Sequence, residues 1–184
     1  LELTEAFCFG LGAGLGITYV EIPDSATPFI VHVRSMGFEE SVFNTLEVPC
    51  TWSSYRDKSA ATADLYKALS DGVPALLLTD IYHLPYFGSS THFPGHAIVA
   101  WQLDQTCDEV LVSDTERPGL ISVPSASLAD ARFSTSPPFI HYGNLFAPRT
   151  LKVTVSAEQV RTAIINNARA LAEGSRNSGL SALD

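Results

Sequence analysis

The chain has 184 residues, a formal net charge of −9 and a pI of about 4.9. Of these residues 46% are hydrophobic and 17% are charged, which predicts one globular domain with ample material for a core. An acidic chain without a run of Lys or Arg binds nucleic acid poorly, because phosphates are bound by basic side chains. The sequence has no run of 18 apolar residues, so we expect no membrane span.

The cysteines are three in number: Cys8, Cys50 and Cys107. An odd, sparse set without a CxxC motif argues against a disulfide framework or a structural zinc site, and it favours a reducing, cytoplasmic compartment. The first residue is Leu1 and no basic leader segment precedes it. We therefore expect the chain to begin partway into a longer protein, or to have been processed or trimmed.

Glycines alternate through residues 10–16. A dinucleotide-binding GxGxxG motif fails in both registers, because Leu15 and Ile17 stand where the third glycine would be. We interpret the segment as a backbone turn that needs glycine for positive φ or close packing. The alternative is a loop that lines a substrate cleft.

The first half of the chain predicts mostly helices. Apolar spacing predicts a strand over residues 29–34 and helices over 38–46 and 59–70, the second helix ending near Gly72. Residues 74–80 form a continuous apolar run, which predicts a central strand covered on both faces.

Two short buried strands, 95–101 and 110–114, each carry one residue suited to catalysis. His96 stands at the start of the first strand, and Asp114 ends the second. The turn-rich segment 104–108 predicts a hairpin between them, and in an antiparallel pair the start of one strand lies beside the end of the next. We therefore expect His96 and Asp114 to be neighbours. A carboxylate on an imidazole is the base half of a nucleophilic triad.

The second half of the chain is richer in strands. We predict a turn at 116–119, strands over 120–123 and 151–155, and helices over 125–132 and from a capping box at Ser156 and Gln159 to about residue 172. The tail 173–184 has the composition of a linker or the start of a following domain. Helices followed by a strand-rich half predict an α+β fold with a mainly antiparallel sheet.

Other readings of these residues remain open. His92 and His96 are four residues apart, but Phe93-Pro94-Gly95 makes a metal-binding helix improbable, and a lone histidine is usually a hydrogen-bonded surface or core residue. Asp114 is equally suited to capping a turn. Among nucleophile candidates the chain has no GxSxG motif, Cys107 lies in the hairpin turn away from His96, and Cys8 between two phenylalanines is typical of a small buried hydrophobe.

Four motifs resemble the N-terminal domain of the butirosin-biosynthesis H-type acyltransferase family. They are Leu3-Thr4-Glu5 with Phe9-Gly10-Leu11-Gly12-Ala13-Gly14-Leu15, Asp80-Ile81-Tyr82-His83-Leu84-Pro85-Tyr86, His92-Phe93-Pro94-Gly95-His96, and Ser113-Asp114-Thr115. They follow the family's order from Leu3 to Pro118. Residues 178–183 resemble the start of the domain that usually follows.

The resemblance implies a papain-like cysteine enzyme that moves an acyl group from an acyl carrier protein to a small-molecule amine. His96 matches the family's catalytic histidine and Asp114 the residue that orients it. The family's cysteine lies on a helix N-terminal to the Leu3-Thr4-Glu5 match, so residues 1–172 would be the acyltransferase domain without that helix. A thioester is already activated, so no ATP, metal or other cofactor is implied. The resemblance transfers no role to Asp80, Tyr82 or Tyr86, which we interpret as packing residues that shape a substrate loop.

Three functions follow as hypotheses. The first is an amide-forming acyltransferase of natural-product biosynthesis, in which a basic patch including Arg117 or Arg149 would attract the acidic carrier protein. The second is a papain-like hydrolase or cyclase of amides or peptides, because transfer and hydrolysis differ only in the exclusion of water. The third is a non-catalytic binding chain that lacks the nucleophile.

Overall fold

A computed structural model describes residues 3–23, 28–49, 51–149 and 154–183. The chain divides into two compact units, Leu1–Cys50 with Thr150–Asp184, and Thr51–Arg149. Among the described helices none is both long and apolar enough to cross a membrane. The assignment of residues 1–172 to a single acyltransferase domain stays a prediction.

The structure contains both helices and antiparallel sheets, which confirms the predicted α+β class. In chain order the elements are α1 (Glu5–Leu11), β1 (Leu15–Glu21), β2 (Phe29–Arg34), α2 (Phe38–Thr45), α3 (Lys58–Ser70), β3 (Ala75–Thr79), a 3₁₀ helix (Ile81–His83), β4 (His96–Asp104), β5 (Glu109–Asp114), β6 (Arg117–Pro124), α4 (Ser125–Arg132), α5 (Ala157–Ala172) and a second 3₁₀ helix (Leu180–Leu183).

The first unit contains helices α1, α2 and α5 and a two-stranded antiparallel sheet formed by β1 and β2. The predicted capping box opens α5, since the Ser156 side chain accepts from the Gln159 N–H while the Gln159 side chain accepts from the Ser156 N–H. Residues after α5 contact β1: Ser178 bridges Thr18, and the Gly179 N–H donates to the Ile17 carbonyl at 2.8 Å. The core of this unit is formed by Leu11, Val42, Leu46 and Val48.

The glycine segment is only partly a turn. Helix α1 continues to Leu11, and Ala13 at φ 52° reverses the chain, but β1 begins at Leu15, which the sequence analysis missed. Close packing explains Gly12, Gly14 and Gly16, and a Cβ on Gly12 would lie 2.6 Å from Cγ2 of Val42. A Cβ on Gly14 would lie 2.6 Å from the Phe9 ring, and one on Gly16 would lie 2.5 Å from the Ser35 backbone nitrogen.

The second unit is built on a four-stranded antiparallel sheet of order β3-β4-β5-β6. Helix α3 buries Ala61, Leu65, Ala68 and Leu69, and α4 has the predicted bounds. Gly72 follows α3 at φ 74°, a left-handed conformation that glycine adopts at little cost, as predicted. The buried apolar side chains of α3, α4 and the sheet form one core: Leu65, Leu69, Ala75, Leu77, Leu84, Ile98, Ala100, Val110, Val112, Val123, Leu128, Ala131 and Leu145.

The strand predicted at residues 74–80 is present, but its predicted central position in the sheet is wrong. Strand β3 is the first strand of the sheet order, and three of its five side chains are buried while two are half-buried. Its outer edge is covered by the segment after α4, where Phe146 bridges Leu76. The Asn144 amide also bonds both the N–H and the carbonyl of Leu78, each at 2.7 Å. An edge covered in this way tolerates an apolar sequence.

Two further expectations need comment. The predicted turn at 116–119 is wrong, because the chain turns at Thr115 and Glu116 and β6 begins at Arg117. The shorter turn follows from a register shift between Ser113 and Asp114, which pairs Asp114 with Arg117. The predicted strand at 151–155 falls largely outside the described residues.

Candidate active site

The β4–β5 hairpin brings His96 and Asp114 together. The register pairs Val99 with Ser113, so Asp114 stands opposite Ile98. His96 lies two residues before Ile98, at the start of β4. Side chains two residues apart on a strand share one face, and diagonal cross-strand neighbours are within reach of long side chains. The predicted contact forms: Nε2 of His96 lies 2.8 Å from Oδ2 of Asp114.

The environment of Asp114 keeps its carboxylate ionised. The side chain has no solvent-exposed surface, and burial raises the carboxyl pKa. Hydrogen bonds from the Glu116 N–H (3.0 Å, to Oδ1), the Tyr86 hydroxyl (2.5 Å, to Oδ2) and His96 outweigh burial and hold the pKa below its ordinary value. Asp114 is therefore an acceptor at neutral pH.

This state of Asp114 determines the tautomer of His96. An ionised carboxylate only accepts hydrogen bonds, so Nε2 of His96 must carry the proton in the neutral ring. The lone pair then lies on Nδ1, the ring nitrogen that Asp114 does not engage. The His96 side chain is 16% exposed, so the ring is largely shielded but still reachable. The arrangement supplies a base at Nδ1 with a buried counter-charge behind it.

Tyr86 is a member of this site that the sequence analysis did not assign. Its hydroxyl shares Oδ2 of Asp114 with His96. Burial and the hydrogen bond to Asp114 raise the pKa of Tyr86, so the phenol stays protonated and keeps donating. The Arg117 guanidinium donates to the Tyr86 carbonyl at 3.0 Å, which ties the start of β6 to the segment after the 3₁₀ helix.

Two neighbours fix the position of His96. The Phe87 ring meets the imidazole edge-on, with centroids 4.9 Å apart. The Thr79 hydroxyl donates to the His96 carbonyl at 3.0 Å, where Thr79 of β3 pairs with His96 of β4. Ring and backbone are thus both held, which limits the orientations that the base can take.

The described cysteines lack the features of an activated nucleophile. Desolvation raises the pKa of the Cys8 thiol on α1. The pKa of Cys107 is raised as well, by desolvation and by the carboxylates of Asp104 and Glu109. Cys107 lies in the hairpin turn after β4, whereas His96 is the first residue of that nine-residue strand. The two ends of the strand are about 27 Å apart. Cys50, the third cysteine of the chain, lies outside the described residues.

A second histidine–carboxylate pair occurs in the same unit. Oδ2 of Asp80 lies 2.7 Å from Nδ1 of His92 and accepts from the Ser134 hydroxyl at 2.5 Å. Burial raises the Asp80 pKa, but these bonds and two backbone N–H groups hold it below its ordinary value. Among the described residues one group of side chains is suited to holding a metal ion, and it consists of Asp80, His83 and His92. His92 and His96, the metal pair considered from sequence, thus bond to different carboxylates.

The family of the chain follows from comparison with known proteins. The family model described as "Butirosin biosynthesis protein H, N-terminal" matches residues 1–115, more than half of the chain. The chain belongs to this family. The match ends directly after Asp114 and includes Tyr86 and His96. No curated protein matches the chain significantly.

The family is named for a protein of butirosin biosynthesis, and this name concerns antibiotic biosynthesis rather than any one reaction. The predicted resemblance to the family is therefore confirmed. The catalytic roles of His96 and Asp114 stay predictions, although their contact is present. The motif that carries Tyr86 and Asp80 was visible in the sequence, but the direction of the two side chains was not.

Proposed function

We propose that the chain is the base-bearing part of a cysteine-dependent acyltransferase of the papain-like type, which forms amides in antibiotic biosynthesis. The observation that carries the proposal is the His96–Asp114 contact, with Nδ1 of His96 left as the basic nitrogen. Family membership supports the link with antibiotic biosynthesis. The raised pKa values of Cys8 and Cys107 favour a different nucleophile. The resemblance places the family's cysteine on a helix before Leu3.

In the first half of the reaction His96 would activate the thiol. Nδ1 accepts the proton of the cysteine, and the ionised Asp114 stabilises the resulting imidazolium through Nε2–H. The thiolate attacks the carbonyl of a carrier-protein thioester. The carbon–sulfur bond to the carrier then breaks, and the carrier thiol leaves with the proton that His96 returns. The product is an acyl group on the enzyme cysteine.

In the second half an amine takes the acyl group. His96, neutral again, accepts the proton that the attacking amine loses. The carbon–nitrogen bond forms, the bond to the cysteine sulfur breaks, His96 returns the proton to that sulfur, and the amide leaves. Atoms and charge balance without ATP, a metal or a redox partner, because the thioester donor is already activated.

Because the chain has a net charge of −9, an acidic carrier protein needs a local positive charge to bind, and Arg117 supplies one. Arg149 donates to Asp71 at 3.0 Å, so its charge already has a carboxylate partner. Arg117 instead donates to the neutral carbonyl of Tyr86. The next residue, Phe87, packs against the His96 ring. Its positive charge is therefore kept beside the site, where it would attract the carrier.

The test uses the full-length protein with acetyl and butyryl N-acetylcysteamine thioesters as donor probes and kanamycin as the amine probe. Mass spectrometry follows three species: acyl-enzyme, amide and free acid. We expect an acyl-enzyme and an amide, with kcat/KM reduced about 10²- to 10⁴-fold in His96→Ala. The matched control is His32→Ala on β2, which should leave the rate unchanged.

The outcomes separate the three hypotheses. Amide as the main product supports transfer, whereas free acid at all amine concentrations would replace it with the hydrolase reading. Absence of any acyl-enzyme, or equal rates for the wild type and His96→Ala, would overturn the proposal and favour a non-catalytic binding chain.

A further inference from the structure

Asp80, His83 and His92 meet where β3 ends. Asp80 follows the last residue of β3 and caps the 3₁₀ helix that carries His83, because Oδ1 accepts the Tyr82 N–H at 3.1 Å. The same oxygen accepts the Phe93 N–H at 2.9 Å, so the carboxylate also fixes the loop that carries His92. One side-chain ligand atom of each of the three residues lies within 4.8 Å of the other two.

We propose that these three side chains bind one first-row transition-metal dication of the Zn²⁺ class. Two imidazoles and one carboxylate suit such ions, whereas Mg²⁺ and Ca²⁺ prefer sets made of oxygen alone. Zn–N and Zn–O bonds of about 2.0–2.2 Å place the ligand atoms of one ion roughly 3.3 Å apart. Separations within 4.8 Å therefore need only small side-chain shifts, and the ion takes the place of the proton between His92 and Asp80.

The surroundings are suited to an ion. The Tyr82 ring stacks on the His92 imidazole, with centroids 4.0 Å apart, which restricts the rotation of this ligand. The Ser134 hydroxyl on Oδ2 of Asp80 is an outer partner of the kind that orients metal-binding carboxylates. A polar cavity of about 440 Å³ opens beside the two histidines, and it leaves room for water or an exogenous ligand at a fourth position. Its lining includes Lys58, Asp130 and Ser134.

The expected effect is to hold the segment between β3 and β4. Without an ion, the hydrogen bonds of Asp80 and the bond from the Ile81 N–H to the Phe93 carbonyl (3.3 Å) connect β3, the 3₁₀ helix and the loop at 92–93. With an ion, His83 joins the same centre, so both ends of residues 83–92 are fixed to the end of β3. From the sequence no metal is expected, because Phe93-Pro94-Gly95 disfavours a helix carrying both His92 and His96 and because a thioester donor needs no metal. The proposal rests on the Asp80 group instead and does not depend on the acyltransferase reaction.

The test is Zn²⁺ binding to the chelator-treated, tag-free full chain, measured by competition with a chromophoric chelator. We expect one equivalent to bind, with the affinity reduced about tenfold or more in His83→Ala and in His92→Ala. Co²⁺ should give a visible absorption band that both variants lose. The controls are His32→Ala and Cys107→Ser, which should bind like the wild type.

Thermal unfolding in the presence of chelator shows that each variant is folded. Wild-type Tm should rise with Zn²⁺, and the Tm of the two histidine variants should not, because only a ligand that binds the native state stabilises it. Lack of saturable binding by the wild type, or equal binding by His83→Ala and His92→Ala, would overturn the proposal. Loss of binding in Cys107→Ser alone would assign the ion to a thiol and overturn it equally.

Discussion

The hydroxyl of Tyr86 lies 2.5 Å from Oδ2 of Asp114, the oxygen that also accepts the Nε2–H of His96. Tyr86 and Asp114 are 28 positions apart in the sequence. The Asp114 side chain, which contacts both Tyr86 and His96, has no exposed surface. Asp114 is therefore held ionised by three donors, and this state determines which nitrogen of His96 is basic.

Substitution of Asp114 should separate hydrogen bonding from charge. Asp114→Ala removes the acceptor of Nε2–H, so the imidazole loses its tautomer and orientation, and we expect kcat of the full-length enzyme to fall about 10²- to 10⁴-fold. Asp114→Asn keeps an amide oxygen as acceptor, as the asparagine of Cys-His-Asn enzymes does, and should lose less. ¹⁵N NMR of the ring nitrogens should show the Nε2–H tautomer in the wild type and a mixture in Asp114→Ala. Equal kinetics of both variants would argue against this role.

Removal of the Tyr86 hydroxyl should destabilise the protein in a pH-dependent way. The lost bond has a charged acceptor, and such bonds contribute about 1.5–3 kcal/mol to the free energy of unfolding. Because the pKa of Asp114 is depressed in the folded state, this stabilisation is present above the ordinary aspartate pKa and is lost as pH falls through the folded value.

Urea unfolding at a series of pH values checks this prediction. Tyr86→Phe should differ most from the wild type near neutral pH, and the difference should shrink under acid conditions. The control is Tyr142→Phe, which changes an exposed tyrosine of the same unit. A difference that is constant with pH would show that Tyr86 stabilises by packing alone.

Arg117→Glu should weaken the use of a carrier protein without affecting the chemistry. Reversal of this charge beside the site should raise KM for an acyl carrier protein thioester at low ionic strength, and added salt should reduce the effect. The rate with an N-acetylcysteamine thioester should stay close to wild type. Arg149→Glu is the control, because the Arg149 charge is paired with Asp71. An equal loss with both donors would show that Arg117 acts through the Tyr86 backbone instead.

Asn144 should contribute strongly to the stability of the second unit. Its side-chain amide bonds the N–H and the carbonyl of Leu78, and Asn144 itself is 4% exposed. Asn144→Ala leaves both groups without these partners at a cost of about 1–3 kcal/mol each. Chemical denaturation should show this loss, with the exposed Gln102→Ala on β4 as control. A change below about 0.5 kcal/mol, typical of a surface substitution, would contradict the role given to Asn144.

The parts of the structure that the sequence predicted are those specified by local pattern. The periodic apolar residues of α3, the capping box at Ser156 and the hairpin that joins His96 to Asp114 each depend on neighbours along the chain. The hairpin prediction placed His96 and Asp114 beside each other, and their contact is present. The contact also depends on a register shift between Ala100 and Gln102, which the sequence did not predict and which places Asp114 on the same face of the hairpin as His96.

The parts that it missed depend on distant segments. The edge position of β3 is possible because Asn144 and Phe146, 66 or more residues away, cover it. The phenol of Tyr86 and the carboxylate of Asp80 find their partners only once the loop between β3 and β4 is folded. On β2, the face that carries Phe29, Val31 and Val33 is the exposed one, which alternation alone does not specify.

The central claim is that His96 activates a cysteine other than Cys8 and Cys107. The most direct test is the rate of iodoacetamide labelling of the full-length protein at near-neutral pH, followed by intact mass and peptide mapping. We predict one fast site, slow labelling of Cys8 and Cys107 because their pKa values are raised, and loss of the fast phase in His96→Ala. Slow labelling at every cysteine, or a fast site that His96→Ala leaves unchanged, would contradict the claim.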